Sequence, residues 1–249
     1  MKPIAVSAAL LLACTAIPAA TQTVPAPITT ALADTGRPQA DRERDAARHP
    51  GEILAFAGVK PGDKVADFVM GGGYWTRILA PLVGAGGKVY AYQPAEFIKF
   101  RAAYADEQKA AVEGRANVVP LSDSLGSFSF PEPLDAIVTV QNWHDLHLKS
   151  APQGAAQAIA GKLYASLKPG GTLLVVDHVA NADPDFKAPD SLHRIDPAAA
   201  RKEIEAVGFK FDGELPLLRN AGDPHTANVF DAAVRGKTDQ FVYRFRKPG

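Results

Sequence analysis

Short apolar runs that alternate with longer stretches of helical spacing constrain this 249-residue chain more than any other feature. Lys64 to Met70 reads as a buried strand, and Trp75 to Val83 as a helix with Ile78, Leu79, Leu82 and Val83 on one face. Lys88 to Tyr92 is a second strand and Phe97 to Val112 a second helix, followed by a third strand at Asn117 to Leu121. Leu134 to Val140 is continuous and apolar, as strands buried on both faces of a parallel sheet are. Ala151 to Leu167 reads as a helix closed by Lys168-Pro169-Gly170-Gly171, with a fifth strand at Thr172 to Val176. Asp196-Pro197 then supplies an N-cap and a first-turn proline for a helix running through Ile204 and Val207. Two last strands, Phe209 to Leu215 and Gln240 to Phe245, have no crossover helix between them and should be antiparallel neighbours. The pattern predicts an α/β fold: a doubly wound sheet of seven strands, mostly parallel, with an antiparallel edge strand.

The ends of the chain are different material. Residues 1–20 hold Lys2, an apolar run from Ile4 to Ala13 and small residues, with no acid, and read as a signal peptide for export to the periplasm. Residues 21–40 are rich in Thr, Ala, Pro and Gln and read as a flexible linker, which leaves 41–249 as the folded domain. The single cysteine, Cys14, follows Leu11-Leu12-Ala13 and resembles the lipid-bearing residue of a bacterial lipoprotein signal. It reads equally as a small apolar residue inside a signal cleaved near Ala19 or Ala20, so a lipid anchor is one of two readings. Lys plus Arg and Asp plus Glu number 27 each, and a chain with no net field has nothing to draw it to nucleic acid. A small-molecule partner is expected instead.

The first strand runs directly into glycine: Asp67-Phe68-Val69-Met70-Gly71-Gly72-Gly73-Tyr74-Trp75-Thr76. Glycines between a strand and a helix let backbone N–H groups approach a ligand, and open α/β sheets bind ligands at the carboxyl ends of their strands. This segment is similar to the first motif of class I S-adenosylmethionine-dependent methyltransferases, with Asp67, Gly71 and Gly73 matching and Val69 standing where the motif has its first glycine. The Asn-aromatic-His-Asp sequence Asn142 to Asp145 after the fourth strand is closest to a group of exported bacterial methyltransferases. The resemblance implies a Rossmann-like fold and S-adenosyl-L-methionine as cofactor. It also implies cofactor contacts from Asp67, Gly71, Gly72, Gly73, Tyr74 and Asn142, from Gln93 at the ribose where the family has an acid, and from Asp123 near the adenine.

An imidazole beside a carboxylate can take a proton, which is the one chemical task an already activated methyl donor leaves to the protein. His144, Asp145 and His178 are therefore the candidate catalytic residues, with His144 as the base. His193 lies in the segment after the fifth strand. A metal held by His144, Asp145, His147 and His178 is not expected, because the histidine spacing matches no recognised ligand pattern and no thiol assists. The expected activity is methyl transfer to a small molecule. A non-catalytic exported binding protein of the same fold is the second reading, and a nicotinamide-dependent oxidoreductase the third.

Overall fold

The computed structural model describes residues 23–152 and 154–249; residues 1–20, which the sequence reads as a signal peptide, and Cys14 among them lie outside the described residues. Seven strands form one sheet: β1 (Lys64–Phe68), β2 (Lys88–Tyr92), β3 (Val118–Leu121), β4 (Leu134–Val140), β5 (Leu167–His178), β6 (Lys210–Glu214) and β7 (Gln240–Arg246). Their order is β3-β2-β1-β4-β5-β7-β6. The first five pair in parallel, and β7 runs antiparallel between β5 and the edge strand β6. That is the doubly wound sheet with an antiparallel pair at one end which the apolar runs predict, and β2 and β4 have the predicted limits.

Period-two alternation builds a core on each face of the sheet. Val65, Ala136, Val138, Leu174 and Val176 join one buried cluster, against α4 (Pro50–Ala57) and α5 (Tyr74–Val83). Ala66, Ile137, Leu173 and Val175 join the other, against α8 (Ala155–Ser166) and α10 (Pro197–Ala206). Helix α5 carries Ile78 and Leu79 at 0% exposure, the stripe its spacing requires.

Three expectations are corrected. The linker is not a free tether: α1 (Ala26–Leu32) buries Ile28 and Ala31 against α5, and α2 (Gln39–Arg42) and α3 (Asp45–Arg48) follow. Arg37, 1% exposed, pins this layer through two bonds of 2.8 and 2.6 Å to the Asp45 carboxylate. The domain therefore begins before residue 41. The helix expected over Phe97 to Val112 is two, α6 (Ala95–Phe100) and α7 (Ala103–Val112), because α6 buries no residue and no continuous apolar stripe joins them. Lys168 to Gly171 does not stop at a turn: it is an irregular start to β5, where the pairing with β4 shifts between Leu134 and Ala136. A last short helix, α9 (Ala188–Leu192), precedes the loop carrying His193. Among the described residues, no helix is long and apolar enough to cross a membrane.

Candidate functional site

The carboxyl ends of β1, β4 and β5 meet at one rim. Beyond β1 the chain turns through Val69 (φ 60°), Gly71 (φ 54°) and Gly73 (φ 80°) into α5. Left-handed backbone costs glycine little, but a β-branched residue there is strained. Val69 is held by burial, at 7% exposure, in the second core, and by its carbonyl, which accepts from Nδ2 of Asn142 at 3.0 Å.

The glycines do different things. A side chain at Gly71 would meet no atom within 4 Å, so this face of the turn is open. At Gly73 a Cβ would stand 2.4 Å from that of Ala111, so this glycine serves close packing with α7. Gly72 is exposed, and its carbonyl accepts from Arg77. Gln93, fully buried at the end of β2, accepts from the Gly71 N–H at 2.8 Å through Oε1, while its Nε2 is buried without a partner.

Several predicted contacts are spent inside the protein. The Asp67 carboxylate accepts from the Thr76 hydroxyl at 2.6 Å, and burial pushes its pKa up to about 6 despite the two hydrogen bonds from Thr76. It locks the turn onto α5. The Tyr74 hydroxyl donates to Asp45, and the guanidinium groups of Arg37, Arg44 and Arg48 gather around its ring. Asn142 donates to Val69 and Val140 and accepts from Thr139, so its amide has no free arm. The Asp123 side chain is exposed, and its carbonyl accepts from the Tyr92 hydroxyl.

The histidines form the densest chemistry on the rim. β4 is followed by Gln141, itself at φ 62°, and a 3-10 turn over His144–His147 drops His144 to 4% exposure. Its Nδ1 lies 2.8 Å from Oδ1 of Asp177, the fully buried penultimate residue of β5, whose other oxygen accepts from the His144 N–H. Its Nε2 faces Asp145 Oδ1 at 3.3 Å. Burial disfavours the His144 imidazolium, but the two carboxylates outweigh it and the pKa is raised; burial is likewise outweighed at Asp177, whose pKa is lowered by His144. His193 brings Nδ1 to 3.8 Å from the same Asp145 oxygen. His178, with Nδ1 on the Thr238 hydroxyl, is held neutral by burial, which pulls its pKa down to about 4. His147 turns away, bonded to Glu203 and stacked on Phe186 beside a separate cleft of about 380 Å³.

Sequence reasoning named His144, Asp145 and His178 but missed Asp177 as the partner of His144. The signal was available, since Asp177 ends an apolar run at the same rim. It also missed Arg48, Trp75, Gln141 and Gln240, which line a small cavity next to this cluster. Arg48 makes no ion pair among the described residues, and burial, with Arg44 nearby, pulls its pKa down to about 10. The indole N–H of Trp75 is buried without an acceptor.

Strand order, crossovers and the glycine turn define the class I methyltransferase fold. Solved structures share it. A SAM-dependent methyltransferase from Aquifex aeolicus superposes with a TM-score of 0.59 at 20% identity, covering 84% of this chain and 95% of that one. The N-methyltransferase NodS from Bradyrhizobium japonicum gives 0.54 at 13% identity, over 83% and 97%. The [4+2]-cyclase SpnF gives 0.59 at 15% identity, over 89% and 93%. No protein-family model and no curated protein matches the chain.

Proposed function

We propose that this chain is an S-adenosylmethionine-dependent methyltransferase acting on a small molecule, with His144 as its proton acceptor. The observation that carries the cofactor reading is the Gln93 amide: Oε1 holds the glycine turn by its Gly71 N–H, while Nε2 is a buried donor without an acceptor. A buried unpaired donor costs about 1–3 kcal/mol, and a ribose hydroxyl oxygen would relieve it. Open Gly71 and exposed Asp123 fit the same ligand. When bound, the cofactor supplies a methyl group already activated on a sulfonium. The protein's own residues position the acceptor and remove its proton.

Asp177 holds the His144 ring by Nδ1, which leaves Nε2, on the side of Asp145, to receive that proton. The fixed carboxylate then stabilises the imidazolium that results. The Trp75 indole N–H, buried without an acceptor, and the Arg48 guanidinium, which donates to Gln141 but has no carboxylate partner among the described residues, favour an anionic group, from acceptor or cofactor, in the adjoining cavity. Residues 1–20 support a periplasmic location, where the cofactor must be delivered from the cytoplasm.

Calorimetry with S-adenosylhomocysteine tests the reading, and absence of binding at millimolar ligand would remove it. With an acceptor in hand, His144→Ala should lower turnover at least 100-fold, the usual worth of a general base, while cofactor affinity stays nearly constant. A fold shared with a named cyclase does not impose methyl transfer, so a binding protein without turnover is the second reading.

A further inference from the structure

We propose that His144, Asp145 and His193 form a binding site for a divalent transition-metal ion, held by Nε2 of His144, a carboxylate oxygen of Asp145 and Nδ1 of His193. One potential ligand atom from each of the three lies within 4.8 Å of the others. The Asp145 oxygen is 3.3 Å from His144 Nε2 and 3.8 Å from His193 Nδ1. Donors about 2.0–2.2 Å from a tetrahedral ion stand roughly 3.4 Å apart, so one pair already has that spacing and small side-chain rotations bring in the third donor.

The surroundings are those of a ligand set. A metal-binding imidazole is oriented by a carboxylate on its other nitrogen, and Asp177 does this for His144 at 2.8 Å. His193, in left-handed backbone at φ 51°, is held from the next two residues. The side chain of Arg194 is fully buried on Asp223, at 2.7 and 3.0 Å, and the Ile195 N–H donates to the His178 carbonyl at the end of β5. The Phe230 ring packs edge-on against His193, with centroids 5.0 Å apart.

Two imidazoles and one carboxylate suit zinc, manganese, iron, cobalt or nickel rather than calcium or magnesium, which prefer all-oxygen shells. The histidines the sequence suggested as partners are engaged elsewhere: His147 on Glu203, His178 on Thr238. Three protein ligands leave a coordination position for water or an acceptor, the arrangement of catalytic rather than structural sites. Proton and cation would compete for one lone pair on His144, so in the loaded protein this residue would be a ligand, and the ion would lower the pKa of a bound acceptor, whose proton would pass to solvent water. The site itself stands apart from the methyl-transfer reading and is tested without cofactor or acceptor.

The full chain, stripped with EDTA, should bind one equivalent of Zn2+ in calorimetry. His193→Ala and Asp145→Asn should each weaken binding at least tenfold, and His147→Ala should leave it unchanged. Co2+ loading of the unmodified chain should give visible bands of low-coordinate cobalt that one equivalent of Zn2+ abolishes, a readout independent of whether any variant folds. No binding at millimolar Zn2+, or equal affinity in folded His193→Ala, would overturn the proposal. Neither result bears on S-adenosylhomocysteine binding.

Discussion

Val69 sets two residue-scale effects against each other. Its left-handed backbone, at φ 60°, costs on the order of 1–3 kcal/mol in a β-branched residue, while its buried side chain contributes about 1.5–3 kcal/mol. Alanine would lose the packing and keep a Cβ in the unfavourable region; glycine would lose the packing and the strain together. Val69→Gly should therefore be no less stable than Val69→Ala in urea denaturation, the reverse of the order at an ordinary core strand position. Asp67 gives a pH effect. Its folded pKa, about 6, lies above the unfolded value near 3.9, so the stabilisation from holding the proton is complete below the unfolded value and lost as pH rises through 6. Asp67→Asn keeps an acceptor for Thr76 and removes the titration. Its stability relative to wild type should rise from pH 4 to 7.5 by about 2–2.5 kcal/mol, most of the free-energy equivalent of a shift of roughly two units. Parallel unfolding curves across that range would contradict it.

At the scale of elements, legibility followed burial and length. Strands β2 and β4 could be read to the residue because a strand covered on both faces is a predominantly apolar run, broken here only by Lys88 at the start of β2 and by Asp135 and Thr139 in β4. Helix α1 was hidden because seven residues with two threonines show barely two turns of periodicity, and its stability comes from docking on α5. The consequence is measurable. Ile28, 1% exposed, would tolerate truncation freely if it sat in a tether, whereas Ile28→Ala should cost about 2–4 kcal/mol as a core position. The candidate site divides the same way. His144, Asp145 and His178 were legible because they follow or end strands whose carboxyl ends must share a rim. His193 was not assigned a role because only the pairing of Ile195 with the end of β5 brings its loop to that rim, and this contact spans sequence that carries no periodic signal.

On the scale of the whole molecule, the cavity at the rim gathers both ends of the described chain: Arg48 from the N-terminal layer, Trp75 from the first turn of α5, Gln141 after β4, and Gln240 from the last strand. A ligand held there stabilises every layer at once, because it binds only where all of them are assembled. By linkage, S-adenosylhomocysteine at one hundred times its Kd should add about 2.7 kcal/mol to unfolding, roughly 5–10 °C in Tm for a domain of this size. Gln93→Glu sharpens the test. The carboxylate keeps the bond from Gly71 and replaces the orphaned Nε2 with an acceptor that ribose hydroxyls can donate to. Without ligand the variant should be less stable than wild type, since it buries a charge. A hydrogen bond to a charged group is worth about 1 kcal/mol more than one to a neutral group, so its affinity for S-adenosylhomocysteine should rise about fivefold and its ligand-induced gain in Tm should exceed that of wild type. A variant that loses stability and gains no affinity would show that Gln93 faces no ribose, and that the orphaned amide belongs to the packing of β2 alone.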